Sequence, residues 1–380
     1  MSTLPFGFVA PAERSVRATL SAALDAVGLA TTTNESHSVA DRELLGLPEA
    51  PRVCFVLVDG LGAQNLAARS GHAGTLRAWH GAEPLTSVAP STTAAAITAV
   101  GTGELPGRTS MLSYSLRSPA SGTNFSLIKW EDPALNPVDW QSEPTLFERL
   151  GKQSSSCVLV QPAAYVGSGL TLCALRGASA RAAEALEDRV HAAARALRTG
   201  AKAVYLYWGE VDHTGHNKGW LSEAWVSELE QLDAGMRLLA RSVPKGTLIV
   251  LTADHGMVDV TERIDVGSVP GLLDGVDLVS GEERLLHLYT HDGEAVAARW
   301  QEEFGERSLV LTKQQAIDSG LFGSVSEHAA GVMGDVLVMQ SGALSLIDGR
   351  GRDPRQSFMV GVHGSLTPEE MFVPLLVEVV

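Results

Sequence analysis

Five short stretches of the 380-residue chain carry side chains able to bind metals or attack phosphorus. Asp59 stands in LVDGLG, Asp212 and His216 in VDHTGH, Asp254 and His255 in ADHGM, and His363 in VHGS. The fifth stretch, PSTTAAA, presents Ser91, Thr92 and Thr93 ahead of an alanine-rich run. Three Asp, three His and one hydroxyl make a mixed oxygen and nitrogen set, which suits Zn²⁺, with Mn²⁺ as the alternative. Seven groups are too many for one tetrahedral site and enough for two ions. Two divalent ions carry four positive charges against three carboxylates, so the site is net positive by one. Such a site tolerates a threonine alkoxide beside an anionic phosphate. The chemistry it predicts is two-metal in-line displacement, one ion serving the nucleophile and the other the leaving oxygen.

Taken singly, each stretch has a plainer explanation. Asp59 can cap the next helix, with the glycines making the turn. Asp212 and His216 can sit in a polar loop, although a four-residue spacing places both on one face of a helical turn. His213 between them reads as supporting or solvated. Asp254 and His255 are neighbours whose side chains point apart on a strand, so both face one ion only if the chain bends, which Gly256 is expected to allow. His363 lies between Gly361 and Gly364 and carries little weight alone. Any of Ser91, Thr92 or Thr93 can cap the helix beginning at AAAITAV, whose N-terminus favours anions.

What joins these stretches is the elements that precede them. Val53–Val58, Ala203–Trp208 and Thr247–Thr252 are apolar at nearly every position, which predicts strands buried on both faces. Residues 180–198 and 222–241 are rich in helix formers. The alternation predicts an α/β fold with a mostly parallel central sheet and helices on both faces. Ligands bind beyond the carboxyl ends of such strands. Asp59, then Asp212 with His216, then Asp254 with His255 follow three strand ends directly. Residues 275–346 differ: strand-like RLLHLYT and GDVLVMQ and a helical piece over 295–304 predict a small α+β cap inserted into a catalytic unit of 1–274 and 347–380. FVPLLVEVV at the end reads as one more strand.

Composition narrows the function. A net charge of −15 disfavours a nucleic acid polymer as partner, while bound cations would still admit a small phosphorylated substrate. No window is apolar enough to span a membrane and no secretory leader is read at the N-terminus, so a cytoplasmic enzyme is expected. Three cysteines, Cys54, Cys157 and Cys173, are too few for a disulfide framework and fit a reducing compartment.

In this order the motifs resemble those of nucleotide pyrophosphatase/phosphodiesterases of the alkaline phosphatase superfamily, over about residues 53–376. The resemblance implies that Asp212, His216 and His363 hold one zinc, and that Asp59, Asp254 and His255 hold the other with Thr93 beside it. It selects Thr93 over Thr92 as nucleophile, because Thr102-Gly103 gives the family's spacing from Thr93. Two departures bear on substrate. The family's phosphate-contacting Asn falls on Tyr114, and its His-Gly pair on Thr109-Ser110. PSTTAAA lacks the Arg that a sulfatase needs. A phosphonoacetate hydrolase also shares the Thr pattern, and Lys129 would then serve its carboxylate. A phosphomonoesterase, a phosphomutase or an inactive binding protein are the remaining alternatives. The expected activity is a phosphodiesterase or nucleotide pyrophosphatase acting through a covalent phospho-threonine. Tyr114, Trp130, Trp208 and Trp220 are expected to supply an aromatic wall for the second ester group, with Trp208 equally suited to the core.

Overall fold

The apolar run after Pro51 forms strand β1 (Arg52–Val58), central in a seven-stranded sheet. In chain order the other strands are β2 (His80–Gly81), β3 (Cys157–Gln161), β4 (Ser179–Ala182), β5 (Ala203–Trp208) and β6 (Thr247–Thr252). Four further strands, described below, belong to a second sheet, and β11 (Leu375–Val379) completes the first. This computed structural model describes residues 4–81, 83–350 and 358–380. The sheet order is β2-β11-β6-β1-β5-β3-β4. β1 pairs in parallel with β5 and β6, and β3 pairs in parallel with β5 and β4; only β11 pairs antiparallel, with β6 and β2. Register matters most. Val58 lies opposite Trp208, and Leu57 opposite Thr252. The three strands therefore end level, and the residues that follow them emerge on one edge.

Every residue from Val53 to Val58 is buried, as a strand covered on both faces requires. Helix α1 (Arg17–Asp25) packs with α2 (Thr93–Thr102) in one layer, while α3 (Leu186–Arg198), α4 (Glu210–Lys218) and α5 (Glu223–Ser242) form another. The helix expected over 180–198 starts only at Leu186. Its first residues form edge strand β4, paired from Val158↔Ser179 to Gln161↔Ala182. Alanine's helix preference is worth only tenths of a kcal/mol per residue, ~0.5 against β-formers, and the open edge of β3 outweighs it. The final run is also split. Pro374 cannot donate to a ladder, so Phe372–Val373 pairs with Leu85–Thr86 and β11 starts at Leu375.

The second sheet comprises β7 (Val276–Glu282), β8 (Leu285–Thr290), β9 (Ser308–Thr312) and β10 (Val336–Gln340), antiparallel in the order β7-β8-β10-β9. Side chains alternate between its faces. Leu286, Leu288, Val336 and Val338 pack on Trp300 and Phe304 of helix α6 (Gly293–Phe304). Leu285, Leu337 and Met339 pack instead against Ala94, Leu112 and Leu116. One face thus serves its own helix and the other is fused to the start of α2 and the segment that follows it. Among the described residues no helix is long and apolar enough to cross a membrane. Cys54, Cys157 and Cys173 are all buried free thiols.

Candidate metal centre

The level strand ends bring the chemical residues together. Asp59 directly follows β1, and Asp254 and His255 follow β6 one residue on. Asp212 and His216 lie on α4, one turn apart, with Asp212 Oδ2 3.1 Å from His216 Nε2. Gly60 is required here: it has φ +73, and a Cβ on it would stand 2.8 Å from the Asp212 Cβ. Only glycine lets the β1 end and α4 approach so closely. Gly256 serves differently from the expected bend. Its φ is not positive; instead a Cβ would stand 2.0 Å from the Glu369 carbonyl oxygen and 2.8 Å from the Gly62 Cα. Its smallness, not its flexibility, is what the fold uses. His363 arrives from the C-terminal segment, its Nε2 3.3 Å from His216 Nε2 and 3.7 Å from Asp212 Oδ1. Thr93 opens α2, with Oγ1 3.1 Å from His255 Nε2.

Hydrogen bonding assigns the tautomers. His216 Nδ1 lies 2.8 Å from the Gly361 carbonyl, His255 Nδ1 3.1 Å from that of Gly256, and His363 Nδ1 3.1 Å from that of Ser91. A carbonyl only accepts, so each neutral ring carries its proton on Nδ1 and leaves Nε2 bare. Three bare nitrogens therefore face inward. Asp59 Oδ1, Asp212 Oδ1 and Asp254 Oδ2 are buried there with no hydrogen-bond donor. His255 Nε2 lies 3.4 Å from both Asp59 Oδ1 and Asp254 Oδ2. Ligand atoms of Asp212, His216 and His363 fall within 4.8 Å of one another, as do those of Asp59, Asp212 and His255. Buried lone pairs that face one another without donors repel, and cations resolve this. The donor set thus fits two adjacent divalent ions.

The electrostatics agree. Burial, then the charges of Asp254 and Asp212, push Asp59 well above the usual carboxylate range. Burial also raises Asp212, but the imidazoles of His216, His363 and His255 outweigh it and hold the carboxyl low. Burial lowers His216, yet Asp212 overrides it and lifts the ring to about 9. Two of the remaining three oxygens are fixed by the protein: Tyr207 donates its hydroxyl to Asp59 Oδ2 at 2.5 Å, and Asp254 Oδ1 accepts from the Gly60 and His255 amides at 3.1 and 3.0 Å.

A fourth carboxylate was not anticipated from the sequence. Glu282, at the end of β7, accepts from Thr92 Oγ1 at 2.9 Å and from Ser113 Oγ at 3.3 Å, and lies 3.9 Å from His363 Nδ1. Burial pushes it up to about 8, against the donors Thr92, Ser113 and the Tyr114 amide. If ionised, it brings four carboxylates against two divalent ions, and the floor becomes neutral rather than positive by one. Thr92 is thereby committed to Glu282, whereas Thr93 faces the cluster.

Above this floor is a cavity of about 540 Å³. Thr93, Asp59, Asp212, His216 and His363 line its base, and Tyr114, Ile128, Lys129, Tyr165, Leu170 and Tyr207 its sides. His213 stands at the rim, bonded to Asn217. The aromatic wall is made of tyrosines, with Tyr165 edge-on to Tyr207 at 5.6 Å. No tryptophan is among the described residues that line it. Trp208 is core beneath Arg189, Trp130 packs on Phe125 and Trp140, and Trp220 on Trp225. Lys129 is largely exposed and lies 3.7 Å from Glu131. Tyr207 had a signal in the sequence: a phenol at the end of a fully buried strand needs a polar partner.

The family model described as type I phosphodiesterase / nucleotide pyrophosphatase matches residues 53–366. No curated protein matches by sequence. Among solved structures, murine ectonucleotide pyrophosphatase/phosphodiesterase 5, as an inactive threonine-to-alanine variant in complex with AMP, superposes with a TM-score of 0.66 at 16% identity, covering 86% of this chain and 87% of that one. The human counterpart gives a TM-score of 0.67 at 14% identity, covering 86% and 87%. Phosphonoacetate hydrolase from Sinorhizobium meliloti, in complex with phosphonoformate, gives 0.68 at 18% identity over 92% of both chains. These likenesses establish the alkaline phosphatase-like fold. Because the family match spans most of the chain, the protein belongs to the type I phosphodiesterase / nucleotide pyrophosphatase family and is a metal-dependent hydrolase of phosphoric esters.

Proposed function

We propose that the protein cleaves phosphodiester or pyrophosphate bonds in small nucleotide-like substrates, with Thr93 as nucleophile and a phospho-threonine intermediate. The observation that carries this reading is the convergence of three bare imidazole nitrogens and three donorless carboxylate oxygens beside the Thr93 hydroxyl. On this reading Asp212, His216 and His363 hold one divalent ion. Asp59, Asp254 and His255 hold the other, with Thr93 beside it, and zinc suits these ligand types. When bound, the ions supply positive charge to the attacking and departing oxygens.

The chain's own residues do the rest. Thr93 Oγ1 bonds to phosphorus as the bond to the leaving oxygen breaks on the opposite face. Water then cleaves the Thr93 ester, restoring the hydroxyl and releasing a monoester. Thr93 is the first residue of α2 and no side chain caps that helix, so its positive end faces the phosphoryl group. Three carboxylates, with the buried Glu282 carboxyl behind them and no Arg beside Thr93, favour a monoanionic diester over a dianionic monoester. Tyr165 and Tyr207 give the second ester group apolar faces to rest on. The AMP complex of the murine neighbour, and its inactivity as a threonine-to-alanine variant, support this choice.

A second reading, C–P bond hydrolysis, draws on Lys129 in the cavity wall and on the phosphonoacetate hydrolase neighbour. The test is kcat/KM of the zinc-loaded enzyme on bis-p-nitrophenyl phosphate, p-nitrophenyl phosphate and phosphonoacetate. A clear preference for the diester is expected. Preference for the monoester or the phosphonate would overturn the diesterase assignment on the same metal floor.

A further inference from the structure

The hairpin between β7 and β8 places three charged residues in a row, Glu282, Glu283 and Arg284, and each reaches a different part of the catalytic body. Arg284 is fully buried and forms a two-bonded pair with Glu370 at 2.8 and 2.9 Å. Glu283 pairs with Arg263 at 3.1 Å. These two dock the hairpin. Glu282 does something else, because its carboxylate goes to the turn that carries the nucleophile.

Thr92 occupies the N-cap position of α2, where a threonine hydroxyl normally accepts from the first-turn amides. Here it turns away and donates to Glu282 Oε2 at 2.9 Å, leaving the helix without a side-chain cap. The same carboxylate accepts from Ser113, next to Tyr114. Its Oε2 also lies 3.9 Å from the Nδ1 of His363, the nitrogen whose proton goes to the Ser91 carbonyl. Gly364 makes the approach possible, since a Cβ there would stand 2.6 Å from the Glu282 Cδ. The Ser91 carbonyl fixes the tautomer of this ring, and Glu282 lies behind it as a neighbouring polar group beyond hydrogen-bond reach. We propose that Glu282 is a positioning residue that holds the Thr92–Thr93 turn from the second sheet and, through that turn and its closeness to the His363 ring, keeps the nucleophile aligned with the metal site. The cap sheet then acts as a fixed brace on the nucleophile.

This rests on the two-metal reading above, and the experiment separates the two. Zinc affinity at each site is measured by chelator competition on wild type, Glu282→Gln and Glu283→Gln, together with thermal unfolding and with kcat and KM on bis-p-nitrophenyl phosphate. Glu282→Gln keeps the shape but replaces one carboxyl oxygen with an amide, so only one of the Thr92 and Ser113 hydroxyls keeps its acceptor. It should weaken one of the two ions by about 10-fold, the low end of the cost of altering a ligand's surroundings. kcat should fall with KM little changed, and the second ion should stay at wild-type affinity. Glu283→Gln should shift only the unfolding temperature. If Glu282→Gln alters stability alone, or weakens both ions equally, or if Glu283→Gln weakens zinc as much, Glu282 is merely a docking contact and the proposal fails. Wild type that binds no zinc would remove the two-metal reading itself.

Discussion

Asp59, Asp254 and His255 on the cavity floor are at most 3% exposed, whereas Tyr114 and Tyr165 on its wall are 36% and 43% exposed. The floor stands on the ends of central strands whose register is fixed by hydrogen bonds on both sides. Apart from Tyr207, which belongs to β5, the tyrosines of the wall stand on loops and short turns. A buried polar atom must find its partner inside the protein, so the floor's geometry is closely specified. An exposed side chain is satisfied by water and costs little to exchange. The chemistry is therefore built into the floor, and the choice of substrate into the wall.

Substitutions can break this division. The largest effect belongs to Thr93→Ala, which removes the attacking oxygen and should lower kcat by several orders of magnitude. Thr92→Ala should cost far less, since its hydroxyl serves Glu282. A reversed order would move the nucleophile by one residue. Next, Asp254→Asn should leave close to one ion per chain where wild type holds two, read by elemental analysis. Two ions retained at wild-type affinity would remove Asp254 from the ligand set.

The seam between the two sheets has a pH signature of its own. His287 on β8 is fully buried, with Nε2 3.1 Å from the Leu112 carbonyl and Nδ1 accepting from the Gly334 amide at 3.0 Å. Burial holds its imidazole at about 4 in place of 6.5. The unfolded chain binds a proton there below pH 6.5 and the folded chain does not until about 4, so stability falls as pH drops through that window. The full loss is about 3 kcal/mol. Urea unfolding of wild type and His287→Gln at pH 7 and pH 4 checks this. The variant should lose about 3 kcal/mol less over the range, and equal slopes would contradict it.

The wall should respond weakly and in a different parameter. Tyr165→Ala removes one aromatic contact, worth about 0.5–1.5 kcal/mol, so KM should rise about two- to tenfold with kcat held. A fall in kcat alone would place Tyr165 in the chemistry. Lys129→Ala breaks only an exposed pair with Glu131, and its effect on a diester should stay within about twofold. A much larger loss on phosphonoacetate than on the diester would favour the C–P reading.

The same division decides what the sequence discloses. Strands β1, β5 and β6 are continuous apolar runs, and each is followed by candidate ligands within a few residues, so the floor is legible from spacing alone. His363 is not; between two glycines it gains weight only through the order of the other motifs. Glu282 leaves no trace in spacing, because 190 residues separate it from Thr92 and only the docking of two sheets brings them together. The tyrosine wall is hidden for a related reason. Tyr165 sits in a short turn after β3, a strand too brief and too flanked by serines to be read, while the tryptophans that looked suited to the role are consumed by packing. Strand β4 was obscured by its alanines, whose local preference gives way to an open sheet edge.

The most direct test of the two-ion floor is metal content against activity in a single preparation. Zinc is counted per chain as the protein is titrated with chelator and then with zinc, and hydrolysis of bis-p-nitrophenyl phosphate is followed at each point. The account predicts close to two ions per chain at full activity, loss of hydrolysis as they are withdrawn, and recovery on their return. Full diesterase activity in metal-free protein would contradict it.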